Sequence, residues 1–367
     1  MPGGSAGGHE VTEQSEHPPR AEGGWRVWPL ALVGVVLVCG VLLLASAGCA
    51  PVARSSPHEE PLVPPPAMVA AHTGDATATL TNHTLAAASE DLVASPTPPR
   101  LPTATPTRVP APPVRVRALP TPQITAEMAV LVDEASGAVL WGHDEHREVA
   151  PASLTKIVTA MVAIELADPR ERVTVDVDSR VMWDSTVMGL RPGEEVSLED
   201  LLYGLMLPSG NDAALAIARY VAGSEERFVE LMNARVRALG LQHTQFRNPH
   251  GLDAEGHYSS PYDMAMLARE AMRDPLFRQL AAAKEWACSG LLQSYHLVNL
   301  NRLLWRYPGA DGVKIGYTDD AGRTMVVSAT RNGHRVYASF MRSRDLVRDG
   351  TALLDYAFEA YAWPQRW

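Results

Sequence analysis

Pro151-Ala152-Ser153-Leu154-Thr155-Lys156 is the stretch on which the reading of this chain turns. Proline favours the first position of a helix, so Ser153 falls at a helix start and Lys156 one turn later on the same face. The first turn of a helix is electropositive and disfavours a protonated lysine, and a second cation nearby would lower its pKa further. A neutral Lys156 could then take the proton of Ser153. A serine and a lysine at this spacing occur by chance about once in a few hundred residues of average composition, so the pair needs partners. The chain holds 32 Lys+Arg, of which only Lys156, Lys284 and Lys314 are lysines. Arginine stays protonated in proteins, which leaves these three as the candidates for amine chemistry.

Working outward, Pro208-Ser209-Gly210-Asn211 lies in a loop between two helical segments, within Leu201-Leu-Tyr-Gly-Leu-Met-Leu-Pro-Ser-Gly-Asn-Asp-Ala-Ala214. Serine and asparagine there serve as helix caps, or else Ser209 relays a proton to a leaving amine while Asn211 orients its neighbours. Further on, Asp311-Gly-Val-Lys314-Ile315-Gly316-Tyr317-Thr318 reads as a turn entering a strand. Gly316 has no side chain, so a substrate backbone can lie against the strand, and Lys314 can attract a carboxylate.

Apolar alternation begins near Ile124. Met128–Asp133 and Ala138–Trp141 flank Glu134-Ala-Ser-Gly137 as a hairpin. Helical periodicity follows over Ser153–Ala167, Leu198–Met206, Asp212–Val221, Glu225–Leu239 and Pro261–Met272. Strands return at Val313–Tyr317, Thr324–Thr330 and Arg335–Met341, with Arg331-Asn332-Gly333 as a hairpin turn, and a helix over Leu346–Tyr361 closes the order. This predicts an α+β domain over residues 124–367: one antiparallel sheet built from both ends of the domain, covered by helices that form a helical subdomain.

Residues 1–24 read as a disordered tail without apolar periodicity. Residues 25–48 carry the uncharged run Trp28–Gly48, long enough for a membrane span. Arg20 and Arg26 precede it, which favours an N-inside orientation and places the bulk of the chain on the extracytoplasmic side of a cell membrane. The ending Leu44-Ala-Ser-Ala-Gly-Cys49 also resembles a lipid-attachment site, and release after cleavage is a further alternative. Residues 49–123 hold more than half of the 29 prolines and read as a semi-rigid spacer. A net charge of −10 with no basic stripe argues against nucleic-acid binding. Three cysteines, Cys39, Cys49 and Cys288, make neither a disulfide framework nor a zinc site. His143-Asp-Glu-His146 lies in a polar loop and forms no helical zinc motif, so no metal or cofactor is expected.

The three boxes, in this order, resemble the Ser-x-x-Lys, Ser-x-Asn and Lys-Thr-Gly boxes of penicillin-recognising serine enzymes. Pro-Ala-Ser-Leu-Thr-Lys156, the stretch Leu201–Ala214, Asn-Pro-His-Gly-Leu252 and Asp-Gly-Val-Lys314 look like the low-molecular-mass D-alanyl-D-alanine carboxypeptidases. The resemblance implies a β-lactamase/transpeptidase-like fold, here without the C-terminal β domain of many relatives. It also implies that Ser153 forms the acyl-enzyme, Lys156 accepts its proton, Ser209 and Asn211 assist proton transfer, and Lys314 binds substrate. The backbone N–H groups of Ser153 and Tyr317 would make the oxyanion hole. The implied partners are peptidoglycan stem peptides, which lose their terminal D-alanine, and β-lactams, which mimic that dipeptide. A β-lactamase would need a general base among Glu194, Glu195 and Glu199, which the Pro-Gly-Glu-x-Val stretch also explains as a turn and a helix start.

Ile315 stands where the family usually has threonine, which makes a weakly active or purely wall-binding homologue a further alternative. The missing hydroxyl commonly helps hold the substrate carboxylate, and losing a hydrogen bond to a charged group costs about 1.5–3 kcal/mol. Thr318 is the nearest hydroxyl that could substitute. Ile315→Thr is therefore expected to raise kcat/KM on a peptide ending in D-Ala-D-Ala by about tenfold or more. An unchanged kcat/KM would show that the hydroxyl is not what the site lacks.

Overall fold

The computed structural model describes residues 110–364. The apolar run at 25–48 and the N-terminal tail lie outside them; among the described residues no helix is long and apolar enough to cross a membrane. The chain enters with β1 (Val114–Arg115), then β2 (Met128–Asp133) and β3 (Val139–His143). A single 3-10 turn, Ala152–Thr155, leads into α1 (Lys156–Leu166). Next come β4 (Arg172–Thr174), β5 (Glu195–Ser197), α2 (Leu198–Met206), α3 (Asn211–Ala222) and α4 (Glu225–Ala238). After these follow α5 (Pro261–Ala271), α6 (Pro275–Ala282), β6 (Glu285–Ser289), β7 (Ser294–Val298) and α7 (Leu303–Arg306). The final run is β8 (Ala310–Thr318), β9 (Gly322–Arg331), β10 (His334–Ser343), α8 (Leu346–Ala360) and β11 (Tyr361–Ala362).

The main sheet has the order β3-β2-β10-β9-β8, antiparallel throughout, so strands from the two ends of the domain meet at the β2–β10 pair. Hydrophobic burial drives that meeting. On one face Ala129, Leu131, Val327, Ala338 and Phe340 pack with Leu353, Leu354 and Ala357 of α8. On the other, Met128, Val326, Tyr337 and Met341 join the core that includes Leu154, Ile157 and Val158 around α1. Every residue of β2 is buried, as expected of a strand covered on both faces. The β9–β10 turn places Asn332 at φ 52° and Gly333 at φ 78°, the paired left-handed conformations that a two-residue hairpin loop demands. Asp349, fully buried in α8, accepts hydrogen bonds from Thr125 N (2.8 Å), Thr125 Oγ1 (2.7 Å) and Ser343 Oγ (2.6 Å), locking the entry to β2 onto the end of β10.

Helix starts follow their caps. Ser197, Ser260 and Asp274 each accept a backbone N–H at the head of α2, α5 and α6, and α5 and α6 carry proline at the first turn.

Three differences from the sequence expectation matter. The ordered chain reaches upstream of Ile124 into the expected 49–123 spacer, because Val114–Arg115 pairs with Tyr361–Ala362. The helix at Ser153 begins as a 3-10 turn, with Ala152 at φ 52°. The β6–β7 hairpin was not expected, since its turn, Gly290-Leu-Leu-Gln293, lacks the usual polar signal. It is held from outside: buried Glu194 accepts from Leu292 N and Tyr295 Oη (both 2.8 Å), and Trp286 stacks on Tyr203 at 3.8 Å.

Candidate active site

Ser153 and Lys156 share one face of the turn that opens α1, with Nζ 3.0 Å from Ser153 Oγ. The amine of Lys156 is fully buried and touches two other groups, Asn211 Oδ1 at 2.5 Å and the His250 carbonyl at 2.5 Å. Both are oxygen acceptors, so both take N–H bonds. A neutral amine has two N–H groups and one lone pair, and with the hydrogens so committed the lone pair is left facing Ser153. Burial pushes the Lys156 pKa well below its ordinary value, and the charge of Lys314 pushes the same way against the opposing pull of Asp212. The arrangement stabilises the form of lysine that accepts a proton.

Asn211 is aimed by its other end, its amide N–H donating to Ser185 Oγ. The segment that carries Ser185 and Thr186 is fixed by the carboxylate of Asp212, which accepts from Met188 N (2.8 Å), Gly189 N (2.8 Å) and Leu190 N (3.0 Å). Thr186 Oγ1 donates to the Ser209 carbonyl at 2.8 Å, and Asn211 N donates to the Thr186 carbonyl at 2.8 Å. Ser209 itself stands at φ 66°, outside the usual range for a non-glycine residue. Its hydroxyl is buried and has no hydrogen-bond partner among the described residues. An orphaned buried hydroxyl costs about 1–3 kcal/mol, which is the signature of a group held ready for something that binds.

β8 supplies the opposite wall. A side-chain carbon at Gly316 would lie 2.8 Å from Ser153 N and 2.6 Å from Thr324 Oγ1, so only glycine lets the strand approach Ser153 this closely. Thr324 Oγ1 in turn donates to the Pro151 carbonyl at 3.1 Å, tying β9 to the same turn. Lys314, two residues before Gly316 on the same face, is buried, and burial lowers its pKa to about 7. Among the described residues its amine bonds only to the Ile315 carbonyl, at 3.1 Å.

The remaining candidates fall elsewhere. Ile315 points to the far face of the sheet, where it packs in the α8 core opposite Met325 and borders a 460 Å³ cavity. The departure from threonine therefore changes a side chain on the face of the sheet away from Ser153 and Lys156, and the gain expected of Ile315→Thr finds no support in this geometry. The Thr318 hydroxyl is already committed, donating to Asp253 at 2.6 Å and accepting from Ala321 N, so it does not replace the missing group. Tyr317 is exposed. Glu194, weighed above as a general base, is taken up by the β6–β7 hairpin. His146 packs its ring on Tyr262 at 4.7 Å, and burial beside Asp200 pushes the Cys288 thiol up to about 12, far from a nucleophilic thiolate.

Sequence reasoning missed the loop from Asn248 to Leu252 as part of the site, although it delivers the His250 carbonyl. Its signal was Gly251: a side-chain carbon there would fall 2.0 Å from the Ala152 carbonyl oxygen.

Comparison with known proteins agrees with this geometry. The family model for D-alanyl-D-alanine carboxypeptidases of peptidase group S11 matches residues 115–344. D-alanyl-D-alanine carboxypeptidase DacF of Bacillus subtilis is 38% identical over 245 residues, 64% of this chain and 63% of the relative. DacA of Escherichia coli K12 is 40% identical over 235 residues, 61% of this chain and 57% of the relative. The chain thus spans less than two thirds of the length of these curated relatives. Among solved structures, the Streptomyces K15 DD-transpeptidase aligns with a TM-score of 0.62 at 29% identity, over 66% of this chain and all of its own. The Ser153 turn, a buried lysine, an unpartnered serine and a glycine-faced strand recur in the order of that family's boxes, and the chain belongs to the D-alanyl-D-alanine carboxypeptidase family.

Proposed function

We propose that the chain is a serine D-Ala-D-Ala carboxypeptidase that removes the terminal D-alanine of peptidoglycan stem peptides. The observation that carries this is the Lys156 amine, buried, with two carbonyl-type acceptors fixing its hydrogens and Ser153 Oγ 3.0 Å from the nitrogen. Lys156 takes the Ser153 proton as Oγ attacks the carbonyl carbon of the scissile bond. Negative charge collects on the carbonyl oxygen and is met by the N–H groups of Ser153 and Tyr317. The leaving D-alanine amine receives a proton through the Ser209 hydroxyl, and water then attacks the ester with Lys156 again as base. Lys314 attracts the terminal carboxylate. The same cleft would be acylated by β-lactams.

The test is labelling by a fluorescent penicillin together with D-alanine release from a pentapeptide. Both are expected in the wild type and absent in Ser153→Ala. Release that survives the substitution would rule out the acyl-enzyme on Ser153, absence of labelling in the wild type would favour a wall-binding homologue, and labelling without release would favour a β-lactamase-like hydrolase.

The two lysines give the pH dependence a definite sign. Acylation needs Lys156 neutral, so kcat/KM rises with pH through its lowered pKa. Carboxylate attraction needs Lys314 charged, a form lost as pH rises through about 7, so kcat/KM falls above that point. Lys314→Gln removes a charge that lowers the Lys156 pKa. The rising limb is expected to move to higher pH and the falling limb to vanish, beneath a lower plateau. Limbs in the same places in the variant would mean the two amines do not sense one another.

We also propose that the uncharged run Trp28–Gly48 anchors the enzyme in the cell membrane, with the catalytic domain outside and the Pro-rich segment as its tether. Its support is the length of the run and the arginines before it. Deleting residues 25–48 should shift the protein from the membrane fraction to the soluble fraction; retention in the membrane fraction would refute the anchor.

A further inference from the structure

We infer that Thr155 and His257 are positioning residues that hold the peptide between Ala152 and Ser153, aiming and polarising the Ser153 N–H toward the oxygen that becomes negative in acylation. This rests on the acyl-enzyme reading above and adds to it two side chains that touch neither substrate nor the reacting atoms.

The hydrogen bonds form a one-way chain. Arg247 N donates to His257 Nδ1 at 3.1 Å, so this nitrogen is the acceptor and Nε2 carries the hydrogen. Nε2 lies 2.9 Å from Thr155 Oγ1 and donates to it. The hydroxyl hydrogen of Thr155 is then left for the Ala152 carbonyl, at 2.9 Å. His257 and Thr155 are both buried, the imidazole standing edge-on to Phe246, and burial lowers the His257 pKa to about 4, so the neutral tautomer persists at neutral pH. Successive bonds polarise one another, so the last one, onto Ala152, is strengthened.

The Ala152–Ser153 peptide is trans, so its carbonyl and its N–H point in opposite directions from one rigid plane. Holding the carbonyl therefore aims the N–H. The carbonyl side faces Gly251, where a side-chain carbon would fall 2.0 Å from the oxygen. The N–H side faces β8, where a side-chain carbon at Gly316 would fall 2.8 Å from the nitrogen. Ala152 sits at φ 52°, a conformation that a residue with a side chain adopts only when its surroundings impose it. The Thr155 hydroxyl is the directional part of those surroundings.

The experiment compares Thr155→Val, which keeps the shape and removes the hydroxyl, with Thr155→Ser, which keeps the hydroxyl. Loss of a whole oxyanion donor costs about 10²–10³ in rate, and a mis-aimed donor less. Thr155→Val is expected to slow acylation by about tenfold or more with KM nearly unchanged, while Thr155→Ser stays close to wild type. The infrared stretch of the acyl-enzyme ester carbonyl, which falls as its hydrogen bonds strengthen, should move to higher frequency in Thr155→Val. Should that variant not fold, His257→Asn, which retains a donor and an acceptor, is expected to acylate faster than His257→Leu. An unshifted ester band with wild-type acylation in Thr155→Val overturns the inference, as does equal acylation in the two His257 variants. A wild-type chain that no penicillin acylates overturns the proposed function and this inference together.

Discussion

An amine taken out of water governs this structure. Lys156 has no exposed surface, and an uncompensated ammonium in such a place costs several kcal/mol. Among the described residues no carboxylate is in contact with it; the compensation there is two neutral oxygens, from Asn211 and His250. Two neutral acceptors suit an NH2 group better than an NH3+ group, so the balance falls toward the neutral form. Asp212 could have reversed that balance. Its oxygens are instead spent on the backbone N–H groups of Met188, Gly189 and Leu190, and its charge is turned to holding the segment that aims Asn211.

The three groups around that amine come from places far apart in the chain: the turn before α1, the head of α3 and the loop ahead of α5. They meet because the sheet closes from both ends of the domain. β2 must pair with β10 for either strand to bury both faces, and that pairing brings β9 and β8 up against the turn. Thr324 then reaches the Pro151 carbonyl, and Gly316 admits β8 to within contact of Ser153. Packing of the whole domain is thus converted into the position of one peptide plane.

Much of this was legible in the sequence. The boxes, the hairpin at Met128–Trp141 and the strand ladder Val313–Met341 lay where periodicity and turn residues put them, because each is set by neighbours in sequence. What escaped was set by distant contacts. Val114–Arg115 is a strand only because Tyr361–Ala362 lies beside it, and two residues among prolines give no periodic signal. The β6–β7 hairpin depends on Glu194 and Tyr203, roughly ninety residues upstream. The contribution of His250 is a backbone carbonyl, which any residue carries, so the His250 side chain gives no sign of it and only the neighbouring Gly251 does. Thr155 fills an unspecified position of the Ser-x-x-Lys spacing, so its bond to the Ala152 carbonyl is visible only in three dimensions.

The scarcity of lysine acquires a physical meaning from the ion pairs. Among the described residues each one uses arginine or histidine as the cation, and none uses lysine. Surface pairing is thereby left to guanidinium groups, which cannot lose their proton, while two of the three lysines are buried in the cleft, where losing it matters. An arginine at 314 would hold a carboxylate as well or better. It would also stay charged in the empty cleft, at the full cost of burial. Burial lowers the Lys314 pKa to about 7, so a lysine at this place can give up the charge that an arginine would keep. Under the proposed function a carboxylate-ended substrate pairs with the charge on Lys314, so the ionised end of the substrate offsets the cost of burying that ammonium.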